Sequence, residues 1–225
     1  EARILRMDRD TLHGKYALSR MHERIRKHEV DLVIGTQLVT KGHDFPAVTL
    51  VGVLLADLGL NLPDFRASER TFQLLTQVSG RAGRGAKPGE VIIQSYNPRH
   101  HSVQCAQAHD PLRFRALELK RRDELGLPPY QHLALLVCAS PDEWRAKDLA
   151  DQLASRLSKL QSGLRWSGPT EAPFRKLRSR YRVQLLLHAD HPRLLHQALH
   201  RLLDPELPLR RDEQVIVDVD PMDLL

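Results

Sequence analysis

The sequence is poor in cysteine and in aromatic residues. It has two cysteines, Cys105 and Cys138, and 5% Phe, Trp and Tyr among its 225 residues. Two distant cysteines argue against a disulfide framework and cannot build a four-ligand zinc site, so we predict no metal site in this chain and a reducing, cytoplasmic environment. The sequence also lacks an apolar run of about 18 residues and a signal peptide, so nothing in it predicts a membrane anchor or export.

Two motifs of ATP hydrolysis are absent as well. The sequence contains no G-x-x-x-x-G-K-[ST] phosphate-binding loop and no D-E-x-H carboxylate pair. Because these groups organise ATP and its Mg²⁺, the chain alone is predicted not to hydrolyse ATP. It begins with Glu1 rather than Met and enters an apolar segment at once. We therefore expect it to be part of a longer protein with further residues upstream.

Positive charge exceeds negative charge, but only slightly. The chain has 34 Lys and Arg against 28 Asp and Glu, which gives a formal net charge of +6. This excess is compatible with a polyanionic partner such as nucleic acid. It is too small to establish such a partner without motifs.

The first half of the sequence alternates short β-rich runs with helical patterns, which is typical of parallel βαβ units. The runs predicted as buried strands are residues 4–8, 31–36, 48–57 and 90–95. Four strands are few for such a sheet, so partner strands are expected upstream. We assign residues 1–110 to an α/β domain, and residues 111–127 to a linker helix that ends in a Gly/Pro cluster.

The second half, residues 128–225, follows the order strand, helix, strand, strand, helix, strand, with these elements predicted over residues 132–139, 142–160, 164–167, 180–188, 192–203 and 214–219. In its first helix Leu149, Leu153 and Leu157 recur at helical spacing, and the second helix has a similar stripe. This order of elements is that of the split βαβ, or ferredoxin-like, fold. An α+β ferredoxin-like domain is therefore predicted after the α/β domain.

The strongest chemical signal comes from two arginines near the end of a predicted amphipathic helix. Arg81 and Arg84 lie in residues 77–84, QVSGRAGR. Because they are nearly one helical turn apart, both guanidinium groups can face one anion, and arginine grips phosphate oxygens bidentately. A basic helix end with a glycine cap is the alternative interpretation.

A second polar segment, residues 35–46, begins where a buried strand is predicted to end. In an open α/β sheet, ligands bind at the carboxyl ends of strands. Thr36, Lys41 and Asp44 offer a hydroxyl, an ammonium and a carboxylate there, which suits a phosphate backbone and a nucleotide. An ordinary strand-to-helix connection is the alternative.

Taken in chain order, residues 35–46 and 77–84 resemble motifs V and VI of superfamily-two helicases. Residues 57–70, 87–94, 127–130 and 218–221 are similar to those of PriA-type replication-restart helicases. This resemblance extends over essentially the whole chain and corresponds to the C-terminal part of that family. It implies a partial second RecA-like helicase lobe, followed by a C-terminal domain that binds DNA and partner proteins.

The resemblance also implies roles for individual residues. Arg84 is expected to be the arginine finger that reaches the γ-phosphate of ATP bound on the other lobe. The residues expected to line the nucleotide cleft are Arg81, Arg84, Gln77, Gly80 and Asp44. Thr36 and Lys41 are expected to contact the DNA backbone.

By the same resemblance, the parent protein is an ATP-dependent DNA helicase, a 3′–5′ translocase that recognises stalled or abandoned forks and assembles a primosome. Its implied cofactors are ATP and Mg²⁺, with zinc in an upstream module and not in this chain. The implied partners are forked and single-stranded DNA, the acidic tail of single-stranded DNA-binding protein, and primosome and helicase-loading proteins. A non-catalytic fork-binding scaffold is the alternative, and a different superfamily-two translocase is a third possibility.

A basic segment occupies residues 175–184, RKLRSRYRVQ. Strand periodicity predicts one polar face, formed by Lys176, Arg178, Arg180, Arg182 and Gln184. Such a face suits a DNA backbone or an acidic peptide, and a solvated surface is the alternative. We assign Arg178 and Arg182 to DNA and, by the resemblance, Arg180 and Gln184 to the acidic tail.

Overall fold

The computed structural model describes residues 1–8, 10–11, 16–36, 47–80, 82, 88–160, 163–203 and 209–224. The chain divides into two compact units. Unit 1 comprises Glu1–Leu62 and Ala67–Arg115, and unit 2 comprises Pro63–Arg66 and Ala116–Leu225. The architecture is mixed α/β, as predicted. In the described ranges, no helix has the length and apolar character needed to cross a membrane.

Unit 1 contains two pairs of short parallel strands. Its elements begin with β1 (Ile4–Met7), α1 (Ala17–Arg26), β2 (Leu32–Gly35), β3 (Leu50–Val53), α2 (Ala67–Ser79) and β4 (Glu90–Ile93). Strand β1 pairs with β2, and β3 pairs with β4, both in parallel. The predicted parallel strand arrangement is therefore confirmed.

Two details of the strand prediction for unit 1 are wrong. Residues 48–57 do not form one strand, because β3 ends at Val53 and Ala56–Leu58 form a short 3-10 helix. The strands are also less buried than predicted, since Ile34 is 53% exposed and Leu50 is 56% exposed. Residue type indicated the extended conformation correctly, but burial depends on neighbouring elements that a local pattern does not reveal.

One hydrophobic cluster of unit 1 joins α2, α3 (His101–Gln107) and the first turn of α4 (Pro111–Leu125), with Val53 of β3 and Ile93 of β4 packed against it. The rings of Phe72 and Phe114 stack with their centroids 4.1 Å apart. The buried Ser102 donates a hydrogen bond to the main-chain oxygen of Ser68, which joins α3 to α2. Helix α3 was not predicted, because seven residues give too little periodicity to distinguish a helix from a loop.

Unit 2 is built on a four-stranded antiparallel sheet with the strand order β6-β7-β5-β8. Its elements after α4 are β5 (His132–Ser140), α5 (Glu143–Lys159), β6 (Arg165–Leu177), β7 (Arg180–Ala189), α6 (Pro192–Leu202) and β8 (Gln214–Val219). The predicted order of strands and helices is confirmed. Strand β6 extends well beyond the predicted residues 164–167, because register shifts after Ser167 and Glu171 interrupt the regular pattern.

Helices α5 and α6 pack on one face of this sheet. The core there includes Leu136, Leu149, Leu153, Leu185, Leu187, Leu195 and Leu202. Part of the other face is covered by a second cluster that consists of Leu135, Val137, Leu186, Phe65 and Leu224. Strand β5 is consequently buried on both faces, and its pairing fixes which side chains of β7 face the helices.

Candidate nucleic-acid and peptide interface

The predicted helicase-motif residues fall only partly within the part of the chain that the structure describes. Lys41, Asp44, Arg81 and Arg84 lie outside the described residues. Thr36 is exposed and directly follows β2, a parallel strand. Its predicted position at the carboxyl end of a strand is confirmed, and its contact with DNA stays a prediction.

Gln77 and Gly80 lie at the C-terminal end of α2. Gln77 is exposed on the last turn, and the Gly80 N–H donates to the main-chain oxygen of Thr76 at 3.2 Å. A helix C-terminus carries partial negative charge, so a phosphate near this end requires compensating cations. A Cβ added to Gly80 would meet no described atom closer than 3.7 Å. A Cβ at this position would therefore make ordinary van der Waals contacts with main-chain oxygens of α2, without a clash.

The carboxylate of Asp57 joins the segments that follow two neighbouring strands of unit 1. It follows β3 and accepts hydrogen bonds from the residues after β4: Ser95 Oγ at 2.7 Å, the Tyr96 N–H at 2.6 Å and the Asn97 N–H at 3.1 Å. Burial by itself raises the pKa of this carboxyl, but these hydrogen bonds outweigh it and lower the pKa below its ordinary value. Asp57 thus stabilises the loops at the carboxyl ends of β3 and β4 as a charged group.

We expect Asp57→Asn to destabilise unit 1 at neutral pH by about 1 kcal/mol or more, since hydrogen bonds to charged groups contribute roughly 1.5–3 kcal/mol. The folded pKa is lowered, so this stabilisation is present above the unfolded pKa and is lost as the pH falls through the folded pKa. Urea unfolding at pH 7 and in acid measures the difference. Asp151→Asn, at an exposed position on α5, is the control, and an equal loss in acid would contradict the role of the charge.

The basic segment predicted as one strand consists of two strands and a turn. Strand β6 ends at Leu177, Arg178 and Ser179 form the turn with φ of 49° and 63°, and β7 begins at Arg180. Positive φ at both central residues is typical of a two-residue hairpin. The strand prediction for Arg178 is therefore wrong, because Arg-Ser lacks the Asn-Gly signature that would have indicated the turn.

The turn also changes the side on which Lys176 lies. In the register of β6 with β7, Lys176 lies opposite Tyr181, and its Nζ is 4.5 Å from the centroid of that ring. The remaining polar residues, Arg180, Arg182 and Gln184, alternate with apolar residues along β7 and are half-buried on one face. Their predicted common face is confirmed, whereas the placement of Lys176 with them is wrong.

Arg180 already has a hydrogen-bond partner within unit 2. Its Nη1 donates to the main-chain oxygen of Asp212 at 2.6 Å. The Nη1 of Arg145, in the first turn of α5, is 3.6 Å from Oδ2 of the same residue. Two guanidinium groups from different elements thus converge on Asp212. Sequence patterns gave no signal for Arg145 or Asp212, because the contact depends on how α5 and the segment before β8 meet.

A cavity of about 210 Å³ between α5 and the β6–β7 hairpin carries charges of both signs. Its charged lining residues are Glu143, Lys147, Asp151, Glu171, Arg175 and Arg182. The guanidinium group of Arg175 forms an ion pair with Glu143, and its Nε lies 3.7 Å from Oε1 of Glu171. Equal numbers of carboxylates and cations do not favour an anionic ligand in this cavity.

Comparison with known proteins finds similar sequences along nearly the whole chain. A family model described as primosomal protein N C-terminal domain matches residues 123–222. The chain is 40% identical, over 220 residues and 97% of its length, to the replication restart protein PriA of Bacillus subtilis. The chain thus matches a C-terminal fragment of PriA proteins. The PriA proteins of Treponema pallidum and Haemophilus influenzae are each 39% identical to it over 226 residues, which cover 100% and 98% of the chain.

These PriA relatives are much longer than the chain. It spans 27% of the Bacillus subtilis protein, 34% of the Treponema pallidum protein and 30% of the Haemophilus influenzae protein. The predicted resemblance to the C-terminal part of the PriA family is confirmed by these matches together with the domain model. A solved structure, the de novo designed protein Foldit4, matches 40% of the chain and 94% of its own with 13% identity and a TM-score of 0.33, which is too low to bear on the fold.

Proposed function

We propose that this chain is the C-terminal part of a helicase that acts in replication restart. The observation that carries the proposal is its 40% identity, over 97% of its length, to the replication restart protein PriA of Bacillus subtilis. In this proposal the parent protein is an ATP-dependent 3′–5′ DNA translocase. It recognises stalled or abandoned forks and promotes primosome assembly together with helicase-loading proteins.

The two units have different tasks in this proposal. Unit 1, with its parallel strand pairs and intervening helices, is part of the second RecA-like lobe. Unit 2 is a ferredoxin-like domain that binds DNA and partner proteins. The strand order β6-β7-β5-β8, with all neighbours antiparallel and two helices on one face, supports that assignment.

ATP and Mg²⁺ are bound mainly by another part of the parent protein, because this chain has no phosphate-binding loop. Gln77 and Gly80, both exposed at the C-terminal end of α2, suit the edge of a nucleotide cleft. Arg81 follows them in the sequence, Arg84 is the arginine finger, and Asp44 approaches the nucleotide. The chain alone is consequently inactive as an ATPase, and zinc belongs to a module of the parent outside this chain.

The polar side chains of the β6–β7 hairpin have two ligands in this proposal. Arg178 and Arg182 contact the DNA backbone, as do Thr36 and Lys41 in unit 1. Among the residues that the structure describes, no carboxylate forms an ion pair with Arg178 or Arg182. This supports a phosphate contact most directly for Arg178, in the turn, because Arg182 also lines the cavity that carries charges of both signs. Arg180 and Gln184 contact the acidic tail of single-stranded DNA-binding protein.

We expect Arg178→Ala and Arg182→Ala to weaken binding of the parent protein to forked DNA and to leave binding of the tail peptide nearly unchanged. Each lost phosphate contact should reduce the slope of log affinity against log salt by about one unit. Arg180→Ala and Gln184→Ala should instead weaken the peptide complex, and the effect at uncharged Gln184 excludes a purely electrostatic explanation. Fluorescence anisotropy with labelled peptide, and with forked DNA at several salt concentrations, measures both sets.

Arg193→Ala is the matched control, because Arg193 is an exposed arginine on α6, away from the hairpin. It should alter neither the peptide affinity nor the salt slope appreciably. If all four hairpin variants bind DNA and peptide as the wild type does, this surface is only solvated and the proposed interface is wrong.

A further inference from the structure

We infer that Arg145 and Arg180 form an anion-binding clamp that Asp212 occupies from within unit 2, and that an acidic peptide displaces Asp212 from this clamp. The inference rests on the proposed peptide-binding role of Arg180. It adds Arg145 as a second contact and Asp212 as an internal competitor.

The clamp is assembled from three separate elements of unit 2. Arg180 is the first residue of β7, Arg145 lies in the first turn of α5, and Asp212 lies in the turn that precedes β8. That turn is closed by two hydrogen bonds: Glu213 N–H donates to the Arg210 main-chain oxygen at 2.9 Å, and Arg210 N–H donates to Glu213 Oε2 at 3.0 Å. The turn thereby holds Asp212 against both guanidinium groups.

The contacts of Asp212 with Arg180 and Arg145 are weak, although both arginines are charged. Arg180 donates to a neutral main-chain oxygen, so this hydrogen bond leaves its positive charge uncompensated. Arg145 and the Asp212 carboxylate are 39% and 52% exposed and 3.6 Å apart, which is beyond ordinary hydrogen-bond distance. Exposed ion pairs of this kind contribute little stability. Displacing Asp212 therefore costs little, and a ligand that gives Arg180 a charged partner gains affinity.

The residue that occupies the clamp is an aspartate, Asp212, and this indicates a peptide ligand rather than DNA. The two guanidinium groups contact the side-chain carboxylate and the main-chain oxygen of a single aspartate. An acidic residue of a bound peptide also has a side-chain carboxylate and a main-chain oxygen, so it can offer the same two acceptors at the same spacing as Asp212 does. A phosphodiester offers no carbonyl oxygen beside its charged oxygens. Gln184, on the same face of β7 as Arg180, adds an amide that can bind the peptide main chain.

The test uses the parent protein and a fluorescently labelled peptide of the acidic tail. Asp212→Asn removes the competing carboxylate and keeps the main-chain oxygen, so the peptide should bind about twofold to fivefold more tightly. Arg145→Ala should weaken binding by a similar factor. Asp151→Asn is the matched control: it makes the same change of Asp to Asn at an exposed position on α5 that is not part of the clamp, and should change the affinity by less than about twofold.

The outcomes separate this inference from the proposed function. If the wild type binds the peptide and Arg180→Ala weakens that binding, but Asp212→Asn binds it no more tightly than Asp151→Asn does, the self-occupied clamp is wrong and the peptide role of Arg180 stands. If neither the wild type nor Asp212→Asn binds the peptide, both are wrong. Tighter binding of Asp212→Asn to forked DNA, with unchanged peptide affinity, would show that the clamp serves phosphate and overturn the inference.

Discussion

Replacing Arg84 with alanine is expected to lower the ATP turnover of the parent protein by about a thousandfold or more, and to leave its affinity for single-stranded DNA nearly unchanged. An arginine finger stabilises the negative charge that develops on the transferred phosphoryl group. In other nucleotide hydrolases this raises the turnover rate by a factor of roughly 10³ to 10⁵. Because that charge develops in the transition state, the loss should appear mainly in kcat. Steady-state ATPase assays at saturating DNA, together with DNA titrations, measure the two effects separately.

Two further variants make the test of Arg84 specific. Arg84→Lys keeps the positive charge but loses the planar fork, so it should remain strongly impaired. Arg20→Ala, at an exposed position on α1, should retain turnover. A parallel loss of DNA affinity in Arg84→Ala would place this residue in a DNA contact. A wild-type parent without any turnover would favour the non-catalytic scaffold.

Leu136→Ala is expected to destabilise unit 2 by about 2–5 kcal/mol, which is a large part of the stability of a typical domain. Leu136 is fully buried in β5 and belongs to the core formed with α5 and α6. Truncation removes apolar contacts and leaves a cavity that a central strand cannot collapse around. Urea unfolding of the wild-type and variant chains, followed by circular dichroism, measures the change in the free energy of unfolding.

Leu177→Ala is the matched control for Leu136→Ala. Leu177 is 50% exposed at the end of β6, so the same truncation there should cost less than about 1 kcal/mol. If both variants unfold at the same urea concentration, the described core does not determine the stability of unit 2.

The order of strands and helices in unit 2 could be predicted because its signals are local and repeated. The leucine stripe of α5 and the alternation along β7 each report which face is buried, and β8 has the bounds that its pattern predicts. The turn at Arg178 and Ser179 could not be predicted, because neither residue favours positive φ and the alternation continues through it in the sequence.

The candidate site was predictable only where a residue type or the family resemblance marked it. The common face of Arg180, Arg182 and Gln184 follows from strand periodicity. The hydrogen bonds of Asp57 and the approach of Arg145 to Asp212 do not, because they join residues that are distant in the sequence and meet only after the elements have packed. Contacts of this kind are set by tertiary structure, which residue patterns do not encode locally.

The short segment Pro63–Arg66 has a consequence for dissecting the protein. It belongs to unit 2, although the residues on both sides of it belong to unit 1. Phe65 packs in the cluster with Leu135, Val137 and Leu186, and Arg66 donates to the main-chain oxygen of Met222 at 3.3 Å. Unit 2 is thus discontinuous in the chain. A truncated protein that starts at Ala116 lacks this segment, so the apolar side chains that Phe65 contacts become exposed. Exposed apolar surface favours aggregation. Weak binding by such a truncated protein would therefore not measure the affinity of intact unit 2.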